Sequence, residues 1–329
     1  LADGLIDMRR NRWIGVMEKD GRDFFVSFFL NQKNQTPLVI FRPQDFCGYG
    51  VLSPDGDHFA WVEWQQPSMP WEESQLWWGS FNNEGEIQAQ KLLLGSSPDA
   101  SRPTSVFQPI WLSNGEILVA EDSSGWWNLV QIAPQVDSAI APPCRRIWRI
   151  EADLGMPQWV YGMATASFSG DKILSLRCQE GRWSIVLLGN EGLVTELDQP
   201  FDDLAYLCAD QDRLVAIASN PLREIGLLEF DMAAGTWQHT PARQPVLDEE
   251  HISIPESFWF KGFGGELTHA WYYPPINWDG KPAPLLVKSH SGPTAMAGIG
   301  LDLVIQFWTS RGWAVVDVNY GGSTGFARN

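Results

Sequence analysis

A unit of two short strands recurs along the first three quarters of the chain, and it limits the fold more than any other feature. The first strands of the pairs are RWIGVME, HFAWVEW, EILVAED, KILSLRC and RLVAIAS, beginning at Arg12, His58, Glu116, Lys172 and Arg213. Each is soon followed by a second: DFFVSFF, SQLWWGSF, WNLVQI, RWSIVLL and EIGLLEF. Turn formers stand before or between them, as in Ser53-Pro54-Asp55-Gly56, Ser113-Asn114-Gly115, Asp122-Ser123-Ser124-Gly125 and Glu180-Gly181. A period of roughly 40–60 residues built on paired strands is what a propeller blade requires, because one small sheet cannot bury both faces alone. A sandwich would not restart the same hairpin five times. The fold class expected is therefore mainly β, a β-propeller with about five blades visible. The 18 tryptophans fit that reading, since aromatic side chains supply apolar area on pleated faces.

Charge narrows the partners. The formal net charge of −17 repels phosphate backbones and anionic lipid, so neither nucleic acid nor membrane is an expected partner. No apolar run approaches the ~20 residues of a membrane span. No apolar leader is visible at the start, which is Leu1. Cys47, Cys144, Cys178 and Cys208 lie far apart with no Cys-x-x-Cys, so buried free thiols in a reducing cytoplasm are expected.

The pattern changes near residues 245–255. SFWFKGF and LTHAWYYPP read as two strands around a glycine turn at residues 262–265. The apolar run Pro284-Leu285-Leu286-Val287 reads as a strand buried on both faces. A loop, an amphipathic segment over residues 301–310 and a second buried run at residues 314–318 follow. Strand, loop, helix, strand is the grammar of an α/β fold. Residues 1–248 are thus expected to form a partial propeller, and residues 249–329 the first strands and helix of an α/β-hydrolase domain.

PLLVKSHSGPT and QFWTSRGWAVVDVNYGGSTGF resemble the start of the hydrolase domain in serine peptidases of the prolyl oligopeptidase family. MPWEESQLW and DSSGWWNLV resemble propeller segments of its acylaminoacyl-peptidase and dipeptidyl-aminopeptidase branch. The resemblance implies a propeller, usually of seven blades, that restricts entry to small peptides. It also implies a fragment incomplete at both ends, whose Ser-Asp-His triad lies beyond Asn329. It brings no cofactor and no metal.

Acyl transfer from a peptide needs a nucleophile, a base, a group orienting the base and donors for the developing oxyanion. Residues 289–293 occupy the place of the loop that supplies one such donor in α/β-hydrolases. By resemblance the Gly292 N–H is the donor, His290 shapes the loop, and Ser291 stands where the family usually has glycine. A serine held at positive φ costs roughly 1–2 kcal/mol, so Ser291 leaves the loop's conformation open. Gly321-Gly322-Ser323-Thr324-Gly325 fits G-x-S-x-G after a buried strand, yet no acid or histidine follows it as the triad order demands. Ser323 is therefore expected to be a decoy.

Gly262-Phe263-Gly264-Gly265-Glu266-Leu267 fails the dinucleotide pattern at its last position. His58, His239, His251 and His269 show no metal spacing and read as ordinary surface or core residues. Glu121 and Asp122, beside Trp126-Trp127, read as solvated turn acids, although propeller acids hold a substrate amine in aminopeptidase relatives. The function expected is that of a serine aminopeptidase or oligopeptidase acting on short peptides, with the chain inactive alone. A non-catalytic propeller that binds peptides or proteins is the alternative. A propeller glycosidase or lyase draws nothing from the hydrolase-like text.

Overall fold

The computed structural model describes residues 1–95, 102–134, 144–146, 148–189 and 194–328. Five four-stranded antiparallel sheets follow one another, each pairing its strands in chain order. They comprise β1 (Ala2–Asp7) to β4 (Leu38–Phe41), β5 (Phe46–Leu52) to β8 (Ile87–Gly95), and β9 (Val106–Trp111) to β12 (Cys144–Arg146). Next come β13 (Ala166–Ser169) to β16 (Val194–Glu196), and β17 (Asp203–Asp210) to β20 (Thr236–Pro241). The paired strands read from the sequence are the two middle strands of each sheet, for example β2 (Arg12–Lys19) with β3 (Arg22–Phe29) and β14 (Lys172–Gln179) with β15 (Arg182–Leu188).

Two of these hairpins close with two-residue loops in which both residues have positive φ. Asp20 and Gly21 lie at φ 55 and 75, and Glu180 and Gly181 at 51 and 77. That is the turn whose twist matches the twist of the strands it joins, and glycine takes its second position without steric cost.

The chain divides into two compact units. One is built from Leu1–Ile150 and Gly155–Met163, which hold the first three sheets. Its core joins the first two sheets through Ile14, Val16, Phe25, Ile40, Cys47, Phe59, Trp61 and Ile87. Phe25 meets Phe59 edge-on at 5.2 Å, and Phe41 packs on Trp61 at 4.9 Å. The segment after β12 returns to this unit, where Tyr161 donates to Asp23 (3.0 Å) or the Cys47 carbonyl (2.9 Å). In the third sheet, β10 (Ile117–Glu121) and β11 (Asn128–Ile132) are buried along their whole length.

The other unit holds the fourth and fifth sheets and a sixth of different kind. In β19 (Arg223–Asp231) buried and exposed residues alternate without a break, the period-two signature of a strand with one face packed. The sixth sheet has the order β21 (Glu256–Lys261), β22 (Leu267–Tyr273), β24 (Ala314–Asn319), β23 (Leu285–Ser289). β24 runs antiparallel to β22 and parallel to β23. The connection between the two parallel strands carries α1 (Leu303–Thr309), capped by Asp302, whose side chain accepts from the Val304 N–H at 2.8 Å.

Trp271, Tyr273, Ala297, Ile299, Ile305 and Val315 form the core under this sheet, with Leu286 packed against it. The expectation that residues 284–287 are buried on both faces is not met. β24 is buried as expected, but β23 is an edge strand whose Leu285 and Val287 are 51% and 66% exposed. Only the Leu286 face has a packing partner among the described residues.

The cysteines also divide. All four are free thiols, with Cys47 and Cys178 buried but Cys144 and Cys208 exposed. Among the described residues no helix is long and apolar enough to cross a membrane.

Candidate functional site

Because β23 and β24 are parallel, their carboxyl ends lie side by side, and the loops leaving them meet. Open α/β sheets place their functional groups in this position. The loop after β23 carries His290, Ser291 and Gly292, and the loop after β24 carries Tyr320 to Phe326. The positive φ falls on Gly292, at 74°, and Ser291 is not among the residues of positive φ. Serine is therefore tolerated because the strained position is the next one. Among the described residues nothing accepts the Gly292 N–H.

The second loop clamps the first at successive points. The Asn319 side chain accepts from the Ala297 N–H at 2.7 Å. The Tyr320 ring stacks on the His290 ring, centroids 4.2 Å apart, and its hydroxyl donates to the Gly292 carbonyl at 2.7 Å. The Thr324 hydroxyl and N–H donate to the carbonyls of Thr294 (2.7 Å) and Ala295 (3.0 Å).

Ser323 belongs to this clamp. It is 1% exposed, and its hydroxyl donates its one proton to the Tyr320 carbonyl at 2.7 Å. The contact of 2.8 Å between Ser323 Oγ and His290 Nε2 is then donated by the imidazole N–H. A histidine that donates to a serine cannot remove its proton, and Nδ1 faces the Tyr320 hydroxyl at 3.1 Å rather than a carboxylate. The geometry is that of a structural tie, whatever the motif around it.

Beneath the clamp lies a buried polar chain absent from the sequence reading. His269 Nδ1 accepts from the Asn319 amide at 3.1 Å, so Nε2–H donates to Ser257 Oγ at 2.9 Å. Burial, with a smaller contribution from the positive charge of Arg182, lowers the His269 pKa from 6.5 to about 4. As pH falls, the unfolded chain therefore takes up this proton first. The stability His269 contributes is whole above about pH 6.5 and is lost progressively toward pH 4, by at most roughly 3 kcal/mol. We expect His269→Gln to lose less stability than the parent chain when urea midpoints at pH 7 and 4.5 are compared. Equal losses would contradict the assignment.

One strand further, Lys288 and Asp317 face each other across β23 and β24, Nζ to Oδ2 2.7 Å, with Asp302 at 3.4 Å. Burial alone would lower the Lys288 pKa, but the hydrogen bond and charge of Asp317 outweigh it and hold the ammonium above its ordinary value.

Glu121 and Asp122 stand in the other compact unit and are not solvated. Both are buried. The Glu121 carboxylate accepts from the Ser123 N–H at 2.8 Å and that of Asp122 from the Ser105 N–H at 2.7 Å. Backbone amides that no strand partner reaches need such acceptors when buried, so these acids build the turn. Trp127 beside them is core, edge-on to Phe107 at 6.2 Å.

No family model matches the chain. A peptidase of Bacillus subtilis, YuxL, is 28% identical over 152 residues, which cover 45% of this chain and 23% of that protein. A puromycin-hydrolysing peptidase of Mycobacterium tuberculosis superimposes with a TM-score of 0.90 at 26% identity, over 99% of this chain and 51% of its own. Prolyl oligopeptidase B of Galerina marginata shares the fold alone, with a TM-score of 0.78 at 12% identity over 100% of this chain and 46% of its own. The chain thus spans about half the length of the solved relatives it matches and less of the curated one. Its fold class is that of their β-propeller followed by the opening strands of an α/β-hydrolase domain. The chain is thus similar in sequence and fold to puromycin-hydrolysing peptidases, and in fold alone to prolyl oligopeptidases.

Proposed function

We propose that the chain is part of a serine-type peptidase that hydrolyses short peptides, with Gly292 supplying a backbone donor to the oxyanion. The unsatisfied Gly292 N–H carries this reading, because a donor already engaged in the fold could not turn to a developing charge. His290 and Tyr320 brace the loop from one side, so the N–H is held before substrate arrives. Preorganisation of this kind is worth about 10²–10³-fold in kcat for a single donor. Residues 1–248 are assigned to a propeller that restricts access, and residues 249–329 to the hydrolase part. Among the described residues no serine is paired with an accepting histidine and a carboxylate, so the 329-residue chain is expected to be inactive alone.

The test is hydrolysis of aminoacyl p-nitroanilides and short peptides by the encoded polypeptide and by the 329-residue chain. Turnover by the former that a fluorophosphonate abolishes, with none from the latter, is expected. Absence of serine-inhibitor-sensitive turnover from both would overturn the proposal in favour of a binding module.

A further inference from the structure

The far end of the clamp sits in a socket. Gly325 has φ 90, and a Cβ built on it would lie 2.6 Å from Cys178 Sγ and 3.4 Å from the Gly181 N. Only glycine fits both the conformation and the space. Its N–H donates to Asp153 Oδ2 at 2.7 Å, and its carbonyl accepts from the Glu180 N–H at 3.0 Å. Asp153 is itself fixed. It is buried, and its backbone exchanges two hydrogen bonds with Cys178, N–H to carbonyl at 2.9 Å and the reverse at 2.8 Å. The socket is therefore made by the β14–β15 hairpin and the residue bridged to it, all within one compact unit with the clamp.

From the socket the contacts run without a break to the loop after β23. Gly325 follows Thr324 and Ser323, which hold the carbonyls of Thr294 and Ala295 and the His290 imidazole. His290 and Tyr320 in turn hold Gly292. A carboxylate that accepts a backbone N–H in a buried setting makes a charge-assisted bond roughly twice as strong as a neutral one. The mid-chain segment before β13 is thus tied to the candidate oxyanion loop through one peptide unit.

We propose that Asp153 is a positioning residue for the loop at residues 290–292: its carboxylate seats Gly325 in the hairpin socket, and so fixes the clamp that orients His290 and Gly292. This rests on the reading of that loop as the oxyanion element, but its test does not use catalysis.

The 329-residue chain is labelled with nitrogen-15, and the His290 ring signals are recorded with the amide exchange rates of Ser323 and Thr324. Asp153→Ala is expected to speed exchange at both amides roughly tenfold or more and to move the His290 Nε2 signal. Asp153→Asn keeps an oxygen that accepts from Gly325 and is expected to restore most of both. Gly325→Ala, with Asp153 intact, is expected to reproduce the alanine result by expelling the key from the socket, and Cys178→Ala added to it to recover part of the loss.

His290 signals and exchange rates unchanged in a folded Asp153→Ala chain would overturn the proposal. If that variant does not fold, unchanged signals in a folded Gly325→Ala chain would do so. Absence of turnover from the encoded polypeptide, with these shifts present in the 329-residue chain, would instead sink the peptidase reading and leave the coupling standing.

Discussion

Trp271→Ala is expected to destabilise its unit by roughly 3–5 kcal/mol, the range for removing a fully buried large aromatic side chain. The ring is wholly buried in the middle of β22, with Ala297, Ile299, Ile305 and Val315 packed around it. His269 meets it edge-on at 4.7 Å, and the Arg182 guanidinium lies over it at 4.9 Å. Its indole N–H donates to the Ala297 carbonyl at 3.0 Å. Truncation leaves a cavity bordered by a sheet and a helix, neither of which can close on it without breaking strand pairs. It also weakens the hold on residue 297, which the clamp grips from the other side through Asn319. Trp271→Phe keeps most of the apolar area and loses the donor, so about 1–2 kcal/mol is expected. Urea unfolding followed by circular dichroism measures both. A loss below about 1 kcal/mol for the alanine variant would show that this core is not packed as described.

The second large effect concerns a buried ion pair in the other unit. Asp7 and Arg12 are opposite each other across β1 and β2, and both are almost fully buried. Arg12 Nε lies 3.0 Å from Asp7 Oδ2, and its NH1 donates to the Gly85 carbonyl at 2.8 Å. Burial pulls the guanidinium pKa down, and the hydrogen bond and charge of Asp7 oppose that shift. Asp7→Ala leaves the buried guanidinium without its counter-charge and is expected to cost about 3–5 kcal/mol. Replacing both residues by leucine removes the stranded charge. The double variant is therefore expected to be more stable than Asp7→Ala alone, although Arg10 and Gly85 each lose a partner. Thermal melts of the parent and both variants decide it. A double variant no better than the single one would mean that lost packing, not lost charge, explains the cost.

The middle strands of every sheet could be read from the sequence because their signals are local. β3, β6 (His58–Trp64), β10 and β15 are apolar runs, and the Glu180-Gly181 turn announces one of the hairpins. The outer strands could not. β16 is three residues long with two of them exposed, and β20 is exposed along nearly its whole length. A strand held mainly by backbone pairing carries little periodicity.

β23 shows the opposite failure. Its apolar run was legible, but composition does not say which face has a partner, and Leu285 and Val287 have none among the described residues.

At the site, residues 289–293 are legible as a loop between an apolar strand and a helix, and Ser323 is excluded by chain order and by its early place in the sheet. The physical reason for that rejection, a serine hydroxyl already committed to the Tyr320 carbonyl, needed coordinates. So did Asp153, which sits 172 positions from the glycine it holds. The burial of Glu121 and Asp122 is not legible because they accept from the backbone amides of Ser123 and Ser105, which no pattern of side chains reveals.

The most direct test of this account is the position of a fluorophosphonate adduct on the encoded polypeptide and on the 329-residue chain, mapped by peptide mass spectrometry. An adduct is expected on the encoded polypeptide at a serine other than Ser323, with none on the 329-residue chain. An adduct on Ser323 in either would show that the clamp opens to release a nucleophile, and would contradict the division of labour between Gly292 and Ser323.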